Sequence, residues 1–434
     1  MSTVVKATMA RVILVVFSIA ITLLLMELAI RLFSPQPLNH YNFTLIQLDG
    51  ADEMVLGPKI SAHRQKPKDF GPYIPNLSTN FAGVKVTINS RGWRDDEHSL
   101  EKPPGVTRIM VVGDSVVFGY GVQADEMFPK VLERGLNRQG PGRYQVVSLG
   151  GAGGNTYSQR RIIKDNVRLY DPDLVILAFN LNDILPKIFG RGNESSAGIG
   201  LSIFKTAVRL RMTLDRAFRA RSHLYFLVRE RMKVVLRKFG IASPTVVPLA
   251  AFDIKSDSGI AALWDTREAL MDIAAQLRKD RVPFLLAILP ADMQVSPKIA
   301  DLYRKEYGFV FDDSLIDGTP QKMIANFARQ YGIDYIDLLP SFQKDREEKK
   351  FFRIYGVSID WNHPNRLGHK IIAAELEKLL SSSAALPQAD GRAGQGALVP
   401  RKQQRTPPSA VPVSLPHDPI SPNNELPKTP DHDL

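Results

Sequence analysis

The chain has 434 residues, 44% of them hydrophobic and 23% charged, which at roughly 100–200 residues per domain allows two or three domains, or one α/β domain with insertions. That balance excludes a wholly disordered chain and a polytopic membrane protein, and zero cysteines exclude disulfides, thiolate metal sites and a cysteine nucleophile. The net charge of +11 is concentrated: residues 203–240 hold eleven Lys and Arg against only Asp215 and Glu230, so the remainder is near neutral and no nucleic-acid partner is expected.

In chain order, residues 1–11 are a short head carrying Lys6 and Arg11. Val12–Phe33 is an apolar stretch of 22 residues, about 33 Å as a helix and long enough for a hydrocarbon core of about 30 Å. Glu27 and Arg31 interrupt it four residues apart, on one helix face where they can pair. No A-x-A-like site follows, and Ser18–Ala20 would leave too short an apolar run before it, so an uncleaved transmembrane anchor is favoured over a cleaved signal. With Lys6 and Arg11 on the inner side, a single-pass inner-membrane protein is expected, its bulk periplasmic or extracellular.

Residues 34–105 then form an extension that leads into a domain at 106–380. Within that domain five apolar, β-branched runs read as strands: Arg108–Val112, Gln145–Leu149, Leu174–Phe179, Pro283–Leu289 and Asp334–Ile336. Helix-like segments alternate with them at Met127–Arg138, Tyr157–Tyr170, Leu263–Lys279, Gln321–Tyr331 and Leu367–Leu380. Such alternation predicts an α/β fold with a five-stranded parallel sheet covered on both faces. A basic insertion lies at about 190–245, where Val208, Met212, Phe218, Leu224, Leu227 and Val228 are interspersed among Arg and Lys. Its helices suit an anionic lipid surface, ordinary solvation or a lid over the cleft. From 381 to 434 the chain holds ten of its 30 prolines and no aromatic residue, which predicts a disordered tail.

Ligands of parallel sheets bind beyond the carboxyl ends of the strands, so the residues there carry the search for chemistry. Gly113-Asp114-Ser115 follows the first strand, Gly150–Thr156 (GGAGGNT) the second and Asn180-Leu181-Asn182-Asp183 the third, while Asp360 and His363 precede the last helix. A serine hydroxyl is a weak nucleophile until a base takes its proton; Ser115, His363 as base and Asp360 as its orienter supply that set, the last two three residues apart on a turn. The oxyanion of a tetrahedral intermediate would find the backbone N–H of Ser115, that of Gly153 and the side-chain amide of Asn182. Gly150 is the alternative to Gly153. Asp360 as a helix cap, Ser115 as an N-cap and a metal on His363 and His369 are the plainer readings of single residues. Trp93 and Arg94 either line a sugar or acyl site or belong to a turn at Asn89–Gly92.

The four clusters, in this order and at these distances, resemble the four sequence blocks of the SGNH (GDSL-like) hydrolase superfamily over about Arg108 to Leu380. The resemblance implies a flavodoxin-like three-layer sandwich, Ser115 as nucleophile, Gly153 and Asn182 in the oxyanion hole, and Asp360 with His363 completing the triad. INSRGWRD at Ile88–Asp95 and MELAIRL at Met26–Leu32 also resemble segments of membrane-anchored bacterial members. The third block usually reads Gly-x-Asn-Asp; here Asn180 stands for the Gly, and Asn tolerates left-handed backbone better than most residues. The resemblance thus implies a membrane-anchored serine esterase with no cofactor and no metal, acting on an acylated glycan or a lipid ester. The same acyl-enzyme would serve an O-acyltransferase of surface polysaccharide, and a glycan-binding subunit without turnover is the third reading.

Overall fold

The computed structural model describes residues 3–36, 38, 70–139, 142–184, 214, 218, 221–238, 254–307, 309–344, 352–355 and 358–382. The predicted tail beyond Ser382 and most of the basic insertion lie outside the described residues. The chain opens with α1 (Thr3–Phe33), whose Thr8–Phe33 portion is long and apolar enough to cross a membrane. A short antiparallel hairpin follows, β1 (Ser78–Phe81) with β2 (Val84–Thr87).

The α/β body begins at β3 (Thr107–Gly113), which leads into the one-turn α2 (Ser115–Phe118) and then α3 (Phe128–Leu136). Next come β4 (Tyr144–Gly150), α4 (Thr156–Tyr170) and β5 (Leu174–Phe179). After α5 (His223–Lys238), the long α6 (Asp257–Lys279) returns the chain to β6 (Phe284–Ile288). Then α7 (Pro297–Tyr307) and α8 (Thr319–Gln330) precede β7 (Asp334–Asp337). A second hairpin, β8 (Phe352–Tyr355) with β9 (Ser358–Pro364), precedes α9 (Arg366–Ser382). The five strands expected from the sequence pair in parallel in the order β4-β3-β5-β6-β7. This is the doubly wound arrangement, and its order reverses between β4 and β5, flanking β3.

Alternation along the strands explains the layers. Met110, Val112, Leu177 and Ile288 turn to one face, where α4, α6 and α8 contribute Ile163, Leu270 and Ile324. Ile109, Val111, Ile176 and Ala287 turn to the other, against Phe128 and Leu132 of α3 and Ile372 and Leu376 of α9. Every residue of β3 and β5 is buried, as strands covered on both faces must be. Each such side chain contributes about 1.5–3 kcal/mol on burial, so the sheet centre is the stiffest part of the domain and a fixed base for the loops at its carboxyl edge.

The segment ahead of β3 closes the body on one side. Tyr73, Phe81, Val86 and Ile88 form a third apolar cluster with Phe118, Tyr120 and Ala152, the residues that follow β3 and β4. This extension is therefore packed directly behind the loops that carry the chemistry.

Candidate active site

The chain must turn sharply at the end of β3, and Asp114 makes the turn. Its Oδ1 accepts the N–H of Val116 at 2.8 Å, capping α2 and leaving Ser115 as the first helical residue. Asp114, not Ser115, is thus the N-cap. Ser115 is 4% exposed, and its Oγ lies 2.7 Å from Nε2 of His363. On the far side of the ring, Nδ1 of His363 meets Oδ1 and Oδ2 of Asp360 at 2.8 and 2.7 Å. A hydroxyl, an imidazole and a carboxylate therefore form a continuous chain. A proton on Nδ1, held by Asp360, leaves Nε2 free to accept the hydroxyl proton of Ser115.

Asp360 and His363 do not sit on a simple turn before a helix, as their spacing suggested, but within β9 of the second hairpin. Residues three apart in a regular strand face opposite ways. Here Oδ1 of Asp360 also accepts the backbone N–H of Asn362 and His363, at 3.2 and 3.1 Å, and this curl brings the two side chains together. Nor does Asp360 cap the following helix. Oδ1 of Asn365 does that, accepting from Leu367 and Gly368. The ring of Tyr120 packs on the imidazole with centroids 4.2 Å apart.

A second carboxylate acts on this pair. Asp292, just after β6, accepts a hydrogen bond from Tyr303 Oη at 3.1 Å. Burial pushes its carboxyl up to about 7, and the charge of Asp360 adds to the rise. Asp292 is neutral below that value and charged above it.

The three expected oxyanion donors come from three strand ends. Among the described residues, the backbone N–H groups of Ser115 and Gly153 have no acceptor within the protein, whereas those of Gly151, Ala152 and Gly154 are taken by Gly113 O, Tyr73 Oη and Gly151 O. Gly153 has φ +74° and open space around it, while Gly150 lies tight against the backbone of α2. The amide of Asn182 donates to Asp114 Oδ2 at 2.9 Å, which holds Nδ2 beside Ser115 with a second N–H to give. Behind it Asp183 is buried, bonded to Gln159 Nε2 and to the N–H of Asn180; burial first, and then the charge of Asp114, raises its carboxyl well above the usual range.

Asn180 is extended, with φ −106° and ψ 154°, so the left-handed tolerance expected of it is not used. Any residue can adopt that backbone, which explains why the loop accepts Asn where the family pattern has Gly.

Residues 111–304 match the family described as GDSL-like Lipase/Acylhydrolase. By that match, the stretch from β3 into α7 resembles a GDSL-like hydrolase domain. By class this hydrolase is a serine esterase. No curated protein matches its sequence. Solved structures similar to it include an acetylxylan esterase from Geobacillus stearothermophilus, at 13% identity and TM-score 0.34 over 63% of this chain and 93% of that one. The acetyl xylan esterase AlAXEase has 14% identity and TM-score 0.34, over 62% and 98%. AlinE4, an SGNH-hydrolase family esterase, has 16% identity and TM-score 0.30, over 58% and 88%.

The INSRGWRD segment of this hydrolase contributes in a way single residues did not reveal. Asn89 Oδ1 accepts the N–H of Arg91 and Trp93, forming the expected turn. Arg94 does not line a substrate site. It is 3% exposed and donates to the carbonyls of Phe118, Gly119, Val122 and Lys85. The guanidinium, pushed down to about 10 by burial yet still charged at neutral pH, gathers the carbonyls at the carboxyl end of α2. Asp95 ties the same segment to β4 by accepting from Ser148 N at 2.8 Å. Burial opposes its charge, but His98 and Lys130 hold its carboxyl below the ordinary range. Asp95, Tyr120 and Asp292 were missed by pattern, and Arg94 was singled out but not for its clamp on α2; the GWRD string was the one available signal.

Proposed function

We propose that this hydrolase is a membrane-anchored serine ester hydrolase whose triad is Ser115, His363 and Asp360. The observation that carries the reading is the unbroken chain from Ser115 Oγ through the imidazole to the Asp360 carboxylate. In the first half-reaction His363 Nε2 takes the proton as Ser115 Oγ bonds to the ester carbonyl carbon, and Asp360 stabilises the imidazolium. The negative charge that develops on the carbonyl oxygen meets the N–H groups of Ser115 and Gly153 and the amide of Asn182. The alcohol then leaves with the proton from His363, and water, activated by the same base, releases the acid.

Membrane anchoring rests on α1, whose apolar side chains from Val12 to Met26 are exposed. Lys6 and Arg11 ahead of it favour an orientation with the catalytic domain outside the cytoplasm. The leading substrate is an acylated glycan. Beside Gly153 a cavity of about 160 Å³ has aromatic walls from Phe70 and Trp93 and charged groups from Arg161 and Asp165, a lining that suits a sugar better than a long alkyl chain.

The test is a fluorophosphonate probe on the purified full chain. Labelling is expected at Ser115, mapped by peptide mass, and lost in His363→Ala. A folded chain that the probe leaves unlabelled overturns the nucleophile. Asn182→Ala is expected to lower kcat by roughly 10²–10³ with little change in KM. A smaller loss would leave the oxyanion to the two backbone donors alone.

A further inference from the structure

The charged residues inside α1 have partners from a distant part of the chain. Oε2 of Glu27 accepts Ser222 Oγ and Leu224 N, each at 2.8 Å, and Oε1 accepts His223 N at 3.0 Å and Arg31 Nε at 2.7 Å. Arg31 Nη2 reaches the carbonyl of Arg221 at 2.7 Å, and the N–H of Gln36 reaches Nδ1 of His223 at 2.6 Å. Ser222 caps α5, its Oγ accepting Tyr225 N at 3.0 Å, and Glu27 takes the two N–H groups ahead of that one, His223 and Leu224. A carboxylate in an apolar span is costly unless fully bonded, and the free N–H groups of a helix start are suitable partners.

This junction sets where α5 begins. Glu27 lies six residues, about 9 Å, before Phe33 at the end of the apolar stretch, a depth near the boundary of hydrocarbon and headgroups. From Thr8 to Phe33 the side chains of α1 are exposed apart from partial cover at Glu27 and Ile30, so α5 touches that turn and then departs from the span. Phe226 of α5 is buried, whereas Val228, Met232 and Val235 are 50%, 51% and 45% exposed. Their i, i+4, i+7 spacing puts them in one stripe. Arg221 and Arg231 are exposed beside it, and the helix sequence adds Lys233, Arg237 and Lys238.

We propose that α5 is an interfacial helix lying on anionic lipid around α1, with Glu27 fixing its start; this rests on the reading of α1 as a membrane span. An apolar stripe among cations is the pattern of a helix that buries one face at the headgroup boundary. Charge selects the occupant. The segment at 203–240 carries nine of the chain's eleven net positive charges, which repel a second copy and attract anionic headgroups. The inference gives the catalytic domain two membrane contacts rather than one, and so a fixed height and orientation above the bilayer.

The chain has no cysteine, so single labels can be introduced without background. The full chain, reconstituted in phosphatidylethanolamine–phosphatidylglycerol vesicles, carries an NBD fluorophore on Val228→Cys, Met232→Cys or Val235→Cys. Leu24→Cys serves as the span control and Lys305→Cys as the solvent control. Nitroxide-bearing lipid is expected to quench the three α5 labels roughly two-fold or more, and to leave Lys305→Cys unquenched. Adding Glu27→Ala should abolish the quenching at position 232 while Leu24→Cys stays quenched. Quenching at position 24 but none on α5 overturns the inference and spares the span. Blue-shifted but unquenched α5 labels mean protein rather than lipid on the stripe, which also overturns it. No quenching at position 24 overturns the span itself.

Discussion

Ser115→Ala is expected to lower kcat on an ester substrate by about 10⁴ or more and to leave the fold intact. The substitution removes the only atom that bonds to the acyl carbon, so the residual rate is what the oxyanion donors and binding supply without an acyl-enzyme. Its structural cost is small. Ser115 Oγ makes one short hydrogen bond, to His363, and losing it costs about 1 kcal/mol at a residue whose Cβ is kept. His363→Ala should fall to a similar rate, and the double variant should not fall much further, because groups that act as one unit do not add. Steady-state kinetics with a urea melt on the same samples checks this. Retention of a tenth of the activity in Ser115→Ala would remove the proposed nucleophile, and a collapsed melt would contradict the intact fold.

How much the sequence made legible depends on what periodicity can encode. The five strands were visible because strands buried on both faces read as continuous β-branched runs, and Arg108–Val112 differs from the observed Thr107–Gly113 only at its ends. The clusters after the strands were visible because their spacing to each strand is local. Asp360 and His363 were found as a pair, but their hairpin was not: the curl depends on Asp360 bonding its neighbours' N–H groups, which a spacing of three does not distinguish from a plain turn. Tyr120 and Arg94 act through contacts 243 and 24 positions away, with His363 and Phe118, and Asp292 feels the charge of Asp360, 68 positions on. No local pattern carries such information. Glu27 is the intermediate case, since its pairing with Arg31 was readable at four residues, whereas its bonds to the start of α5 span 195 to 197.

Gly150→Ala is expected to cost the domain at least about 3 kcal/mol, and Gly153→Ala only about 1. A Cβ on Gly150 would lie 2.2 Å from Phe118 N, 2.6 Å from Phe118 Cα and 2.7 Å from Val117 C, all backbone of α2. Side chains can rotate away, but α2 cannot: Arg94 clamps its carboxyl end, Asp114 caps its start, and Val116 and Val117 are locked in the core beneath. Moving it would carry Ser115 away from His363, so the same change should take activity with it. A Cβ on Gly153 meets nothing within 4 Å and bears only the strain of its positive φ, and the N–H proposed for the oxyanion remains. The two glycines, indistinguishable as letters of one loop, thus separate into one that makes room for α2 and Ser115 and one whose backbone N–H is proposed for the oxyanion. Urea melts of both variants decide it. A Gly150→Ala chain as stable and active as the parent would mean that the close approach of β4 to α2 is not what positions Ser115.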